Sequence, residues 1–144
     1  MQDFPHHYTV NASADPDDNV IIRGEDLPQI VSAPPAQFGG PGDQWSPEDL
    51  LCASVADCFI LTFRAIASAS RLEWSSVEVD VEGVLDRVER TTCFTGFTVS
   101  ATLTVPADTN VEKAEKLLEK AEQNCLITNS LSADCHLKAD VITA

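Results

Sequence analysis

Residues 50–69 run LLCASVADCFILTFRAIASA, and no other stretch of the chain constrains its fold as tightly. Leu50, Leu51, Ala53, Val55, Ala56, Phe59, Ile60, Leu61, Phe63, Ala65 and Ile66 leave almost no polar face at helical spacing. A helix that is apolar nearly all round must be surrounded by protein, so this segment belongs at the centre of the fold. Its start is well marked. Ser46 can cap, Pro47 suits the first helical position, and Glu48 and Asp49 face the positive helix end. The helix should run from there to about Ser70. Asp57 and Arg64 inside it, and a start MQDFPHHYTV without a basic and apolar signal, point to a soluble, cytoplasmic chain with no membrane partner.

Around that helix the pattern is mixed. Tyr8, Val10, Ala12 and Ala14 alternate with polar residues as in a half-buried strand. The turn chemistry of residues 15–19, DPDDN, lets residues 20–23 fold back as a second strand, with a third short extended piece around Ile30 and Val31. The prolines and glycines of residues 32–46 forbid regular structure. Beyond the helix, residues 77–81 and 97–105 alternate on either side of a polar stretch, as in a long hairpin that Pro106 ends. Residues 110–123 read as an amphipathic helix with Val111, Ala114, Leu117, Leu118 and Ala121 on one stripe, and residues 137–142 as a last strand. This order gives an α+β class in a single domain, 1–144. At this length an oligomer is a natural way to complete the core.

Nine Lys and Arg against 23 Asp and Glu give a formal charge of −14, which excludes the basic footprint that nucleic acid or an anionic membrane attracts. The five cysteines, Cys52, Cys58, Cys93, Cys125 and Cys135, are odd in number and include no C-x-x-C pair, so neither a disulfide scaffold nor a zinc site is indicated. No metal or cofactor is expected, and His6 and His7 should be solvent-exposed. What remains is thiols that are either reactive or simply packed. Cys58 sits in mid-helix among bulky apolar residues, where a reactive thiolate needs a nearby cation or hydrogen-bond donors. Cys125 follows the amphipathic helix in NCLITNS, a run that suggests a backbone break and a short second turn. From the residues alone, the pairing among the five thiols stays open.

Two segments carry a resemblance. Residues 38–51, FGGPGDQWSPEDLL, continued by ASVADCF at 53–59, resemble the Gly-rich loop, Pro-Glu-x-Leu helix start and buried cysteine of the OsmC/Ohr family, the osmotically inducible and organic hydroperoxide resistance proteins. CLITNSL at 125–131 is similar to that family's second cysteine motif, Cys-Pro-x-Ser-Asn-Ala. The resemblance implies an intertwined homodimer in which antiparallel sheets wrap central helices. It also implies a peroxidase acting on organic hydroperoxides and hydrogen peroxide. Cys58 would then be the peroxidatic thiol, Cys125 the resolving thiol that traps its sulfenic acid as a disulfide, and Glu48 an acid that orients an arginine. A dithiol reductant would reopen the disulfide.

One departure from the family pattern stands out. Organic-hydroperoxide members carry an arginine in the early turn, where this chain has DPDDN; Arg23 is the nearest candidate for the thiolate-stabilising cation, and Arg64 and Arg71 lie beyond Cys58. The lost arginine leaves a rival reading, a non-enzymatic redox-sensing domain or one that binds a small apolar ligand. Phe38 and Trp45 could wall an apolar channel, pack in the core or meet a second subunit. Cys52, Cys93 and Cys135 are expected to be packing residues. Glu48 raises a geometric question. Ten residues of continuous helix would separate it from Cys58 by about 15 Å, so either the helix breaks between them or Glu48 acts elsewhere; in a two-fold dimer with antiparallel central helices it is expected to serve the thiol of the partner subunit.

Overall fold

The computed structural model describes all 144 residues. The central helix α1 spans Pro47–Ala69. It starts as its sequence requires: Ser46 Oγ accepts from the Asp49 amide at 3.0 Å, and Asp49 Oδ2 accepts from the Ser46 amide at 3.1 Å and its hydroxyl at 2.8 Å. This reciprocal cap satisfies two orphan donors at once, and Ser46 is fully buried. Ser46→Ala should lower stability by about 1–2 kcal/mol, read as a drop in the urea midpoint at unchanged slope. The helix ends where Arg71 turns left-handed at φ 54° and the Leu72 amide reaches back to the Ala67 carbonyl at 2.9 Å. By length and composition α1 could cross a membrane. Here Val55, Phe59, Phe63 and Ala67 are instead buried in the core of the protein.

The chain divides into two compact units, residues 1–50 and 51–144. In the larger, β4 (Ser76–Val88), β5 (Thr91–Val105) and β6 (Asp134–Thr143) form one sheet in that order. Strand β5 lies in the middle. Its Phe97, Val99, Ala101, Leu103 and Val105 are buried, while Thr98, Ser100, Thr102 and Thr104 alternate onto the other face. Val77, Val79 and Val81 of β4 and Cys135, Leu137 and Val141 of β6 join the same apolar face. Against it pack the α1 stripe and Ala114, Leu117, Leu118 and Ala121 of α2 (Val111–Gln123). Each large buried side chain of this stripe contributes about 1.5–3 kcal/mol. Trp74 closes one end with its ring edge-on to Phe63, centroids 5.6 Å apart.

The hairpin is longer than the alternation alone suggests. Strands β4 and β5 pair from Ser76↔Thr104 to Val88↔Thr91, leaving only Glu89 and Arg90 in the turn, both at positive φ (49° and 71°). The expectation of antiparallel sheets holds for every pairing but one, because β6 runs parallel to β5. The cause is the connection: α2 and the short α3 (Leu126–Asn129) carry the chain back before β6 begins, as a parallel pair requires.

In the smaller unit, β1 (Asn11–Ser13), β2 (Val20–Arg23) and β3 (Ile30–Ser32) form an antiparallel sheet. The Gly-rich segment returns to it: the Ala33 amide donates to the Trp45 carbonyl at 2.9 Å. Gly40 permits that path, since a Cβ there would run into the Pro34 carbonyl. Ala33 is this unit's one buried hydrophobic side chain, whereas Phe4, Tyr8, Val10, Leu27, Phe38 and Trp45 are exposed.

Candidate redox site

Cys58 projects from α1 beside the buried stripe, half-exposed. Its Sγ lies 3.9 Å from the Thr62 hydroxyl, one helical turn on. That hydroxyl can donate to a thiolate at no cost to the helix. Asp57, whose carboxylate would oppose a neighbouring thiolate, is exposed and so points away from the core side of the helix.

Cys125 caps the N-terminus of α3 and is 1% exposed. Its thiol and that of Cys58 are near enough for each to affect the other's ionisation, so α1 and the α2–α3 junction place the two thiols as neighbours. Burial, above all, pushes the Cys125 thiol up; the amide and hydroxyl of Thr128 draw it down, and the hydrogen bond and charge of Cys58 push it up again. The net effect is to favour the protonated form of Cys125.

A third thiol stands close by. Cys135 on β6, across from Phe97, is half-buried on the apolar face. Its pKa is pushed up to about 11 by burial, by the charges of Glu122 and Cys125, and by a hydrogen bond to Glu122. Cys93 is exposed near the hairpin end. Cys52, six residues before Cys58, packs near Gly83 of β4.

Glu48 is half-buried in the first turn of α1. The helix is unbroken from Pro47 to Ala69. Its rise sets Glu48 and Cys58 about 15 Å apart along the axis. Arg23 is exposed, and its guanidinium donates to Ser13 Oγ at 3.0 Å across the β1–β2 pair. Asp15 and Asp18 line the same surface hollow, so this arginine sits among acids of its own turn. His6 and His7 are exposed as expected, His6 stacked on Phe4 at 4.6 Å.

With that arrangement in view, comparison with known proteins is decisive on family. Residues 40–140 match the family model described as OsmC-like protein. This chain belongs to the OsmC-like family. The uncharacterized protein YmaD of Bacillus subtilis (strain 168) is 24% identical over 140 residues, covering 94% of this chain and 93% of its own. An OsmC-like protein of unknown function from Vibrio cholerae has the same fold with a TM-score of 0.86, at 15% identity over 94% of this chain and 99% of its own. An organic hydroperoxide resistance protein OsmC from Legionella pneumophila aligns with a TM-score of 0.75 and 26% identity, covering 96% of this chain and 99% of its own. Membership of the OsmC-like family, with hydroperoxide resistance proteins among its relatives, supports a redox-related role.

Within this OsmC-like site, sequence reasoning missed Thr62, Thr128, Glu122 and the position of Cys135. Thr62 was available from spacing, since positions four apart share a helix face, and Thr128 from its place three residues into the turn after Cys125. Glu122 and Cys135 had no such signal. They meet only because the register of β6 against β5 sets Cys135 under α2.

Proposed function

We propose that this chain is a thiol-dependent peroxidase for organic hydroperoxides and hydrogen peroxide. The observation that carries the reading is the neighbouring placement of the Cys58 and Cys125 thiols in an OsmC-like fold. Cys58 as thiolate attacks one peroxide oxygen; the O–O bond breaks, ROH leaves after taking a proton, and Cys58 becomes a sulfenic acid. Cys125 then attacks that sulfur, water leaves, and a disulfide closes. A dithiol reductant reopens it and is itself oxidised to a disulfide. No metal or cofactor takes part. The need for reducing thiols fits a cytoplasmic protein. After one equivalent of cumene hydroperoxide, peptide mapping should find Cys58 bridged to Cys125 as the first disulfide. Cys52 is turned to another side of the helix at about 100° per residue. A bridge from Cys58 to Cys52 or Cys135 would sink the assignment.

The functional form on this reading is a homodimer of single-domain subunits. Support comes from residues 1–50, which bury one hydrophobic side chain and expose eight larger ones, a surface that a second copy would cover. Glu48 then serves the thiol of the partner subunit, where it orients the cation that stabilises the thiolate. We assign that cation to Arg23, whose exposed guanidinium can exchange its bond to Ser13 for one to a thiolate. Mixing Cys58→Ser chains with Glu48→Gln chains should give heterodimers carrying one site with both native residues, and activity above that of either parent. Activity no higher than the parents would refute the trans arrangement.

A second reading is favoured by one observation, the early turn of residues 15–19 without an arginine and with Arg23 held at Ser13. On that reading the thiols sense oxidants, or the domain binds a small apolar ligand, without turnover. Sustained peroxide consumption separates the two.

A further inference from the structure

A thiol in the middle of a helix attacks as its thiolate, and something must hold that charge. A neutral donor for it stands on α1 itself. Thr62 follows Cys58 by four residues on an unbroken helix, so the two share one face. Because each Cα–Cβ bond tilts toward the helix N-terminus, the side chain of Thr62 leans back over the sulfur. Its Oγ1 lies 3.9 Å from Cys58 Sγ, and both residues are half-exposed.

Other hydroxyls in the helical segments point elsewhere. Ser54 donates to the Leu51 carbonyl at 2.7 Å, Thr128 to the Cys125 carbonyl at 3.1 Å and Ser130 to the Leu126 carbonyl at 2.8 Å. Bonding back to a carbonyl three or four residues earlier is the ordinary course for Ser and Thr in a helix. Thr62 is turned to the sulfur instead. Its β-branched side chain has only two favoured rotamers there, so keeping that direction costs little entropy.

We propose that Thr62 is the hydrogen-bond donor that holds Cys58 as a thiolate for its attack on the hydroperoxide. The proposal rests on the peroxidase reading above and adds a residue to it. While Cys58 is a thiol, either group of the pair supplies the hydrogen. Once the sulfur has lost its proton, only the Thr62 hydroxyl has one to give, and the bond becomes charge-assisted. It therefore stabilises the thiolate more than the thiol. Thr62 acts on the sulfur and not on the peroxide, so its effect should extend to any electrophile that Cys58 meets.

The size of the effect follows from two opposing contributions. A hydrogen bond to a charged group, at a half-exposed site where water partly replaces it, is worth about a factor of ten in thiolate. The more basic sulfur left without it is also more nucleophilic, which returns part of the loss. A fall of about three- to tenfold in rate is therefore expected on removing the hydroxyl.

The test compares Thr62→Val, which keeps the branching and removes the hydroxyl, with Thr62→Ser, which keeps the hydroxyl. In the full-length protein at pH 7, peptide mapping reads two rates: alkylation of Cys58 by iodoacetamide and its oxidation by cumene hydroperoxide. Exposed Cys93 supplies a reference alkylation rate in the same samples. Thr62→Val should slow both reactions of Cys58 by about three- to tenfold with Cys93 unchanged, and Thr62→Ser should react nearly as fast as wild type. Thr62→Val at wild-type rates, with Cys58 still oxidised by hydroperoxide, overturns the donor role and leaves the peroxidase reading intact. Thr62→Ser as slow as Thr62→Val also overturns it, because packing and not the hydroxyl would be the cause. Alkylation that follows the Thr62 hydroxyl in a protein whose Cys58 is never oxidised by hydroperoxide overturns the peroxidase reading and keeps the donor.

Discussion

Cys58→Ser chains are expected to consume hydroperoxide no faster than buffer, a loss on the order of a thousandfold or more, because an alcohol without a neighbouring base is not ionised near neutrality. Cys125→Ser should behave differently. The attacking thiol survives, so each chain should consume about one peroxide and then stop, with Cys58 left as a sulfenic acid that a dimedone-type probe can trap. The contrast follows from the site: Cys58 is the half-exposed member of the pair with a hydroxyl donor one turn away, and Cys125 is the buried one held protonated. Sustained turnover of Cys125→Ser with a monothiol would mean that external thiols resolve the sulfenate directly. Turnover of Cys58→Ser would mean that another thiol attacks peroxide.

Gly83→Ala should be the most damaging small substitution away from the thiols. Helix α1 comes so near β4 there that a Cβ would lie 2.9 Å from each of Cys52 Sγ, Phe94 Cε1 and Phe97 Cε1. The two rings are stacked at 5.1 Å, so neither can yield without disturbing the other. Overpacking of this kind costs about 1–3 kcal/mol, which for a chain of this size lowers Tm by roughly 3–10 °C. Function should fall with it. Cys58 stands on the same helix six residues after Cys52, so pushing α1 off the sheet moves its sulfur relative to Cys125. Adding Cys52→Ala to Gly83→Ala removes one of the three clashing atoms and should recover part of the stability. A Gly83→Ala protein with wild-type melting and wild-type disulfide formation would show that the helix and sheet are not closely apposed there.

Much of this was written in the sequence, and the parts that were not share a cause. Helix α1 was legible because Ser46, Pro47 and the following acids mark its start, while its all-round apolar surface declares its burial. Strand β2 was legible from DPDDN before it. The Glu89–Arg90 turn was not, because both residues take positive φ without the Asn or Gly that usually announces it. The parallel placement of β6 depends on how α2 and α3 return the chain, which local alternation does not encode. The site divides in the same way. Cys58 and Cys125 were singled out through motifs that resemble a family, Thr62 lay one turn away on the same helix, and Cys135 packs against the core as expected, with Glu122 as a neighbour that only tertiary structure supplies. Cysteine chemistry is decided by what stands around the sulfur, and for Cys135 that neighbourhood is tertiary.

The central claim is catalysis by the Cys58 and Cys125 pair, and hydroperoxide loss per chain under excess dithiothreitol tests it most directly, with cumene hydroperoxide and hydrogen peroxide compared. Many turnovers of at least one of them are expected from the wild-type protein, abolished in Cys58→Ser. Consumption that stops at one or two peroxides per chain despite fresh dithiothreitol would contradict it and leave a sensor or binding domain in its place.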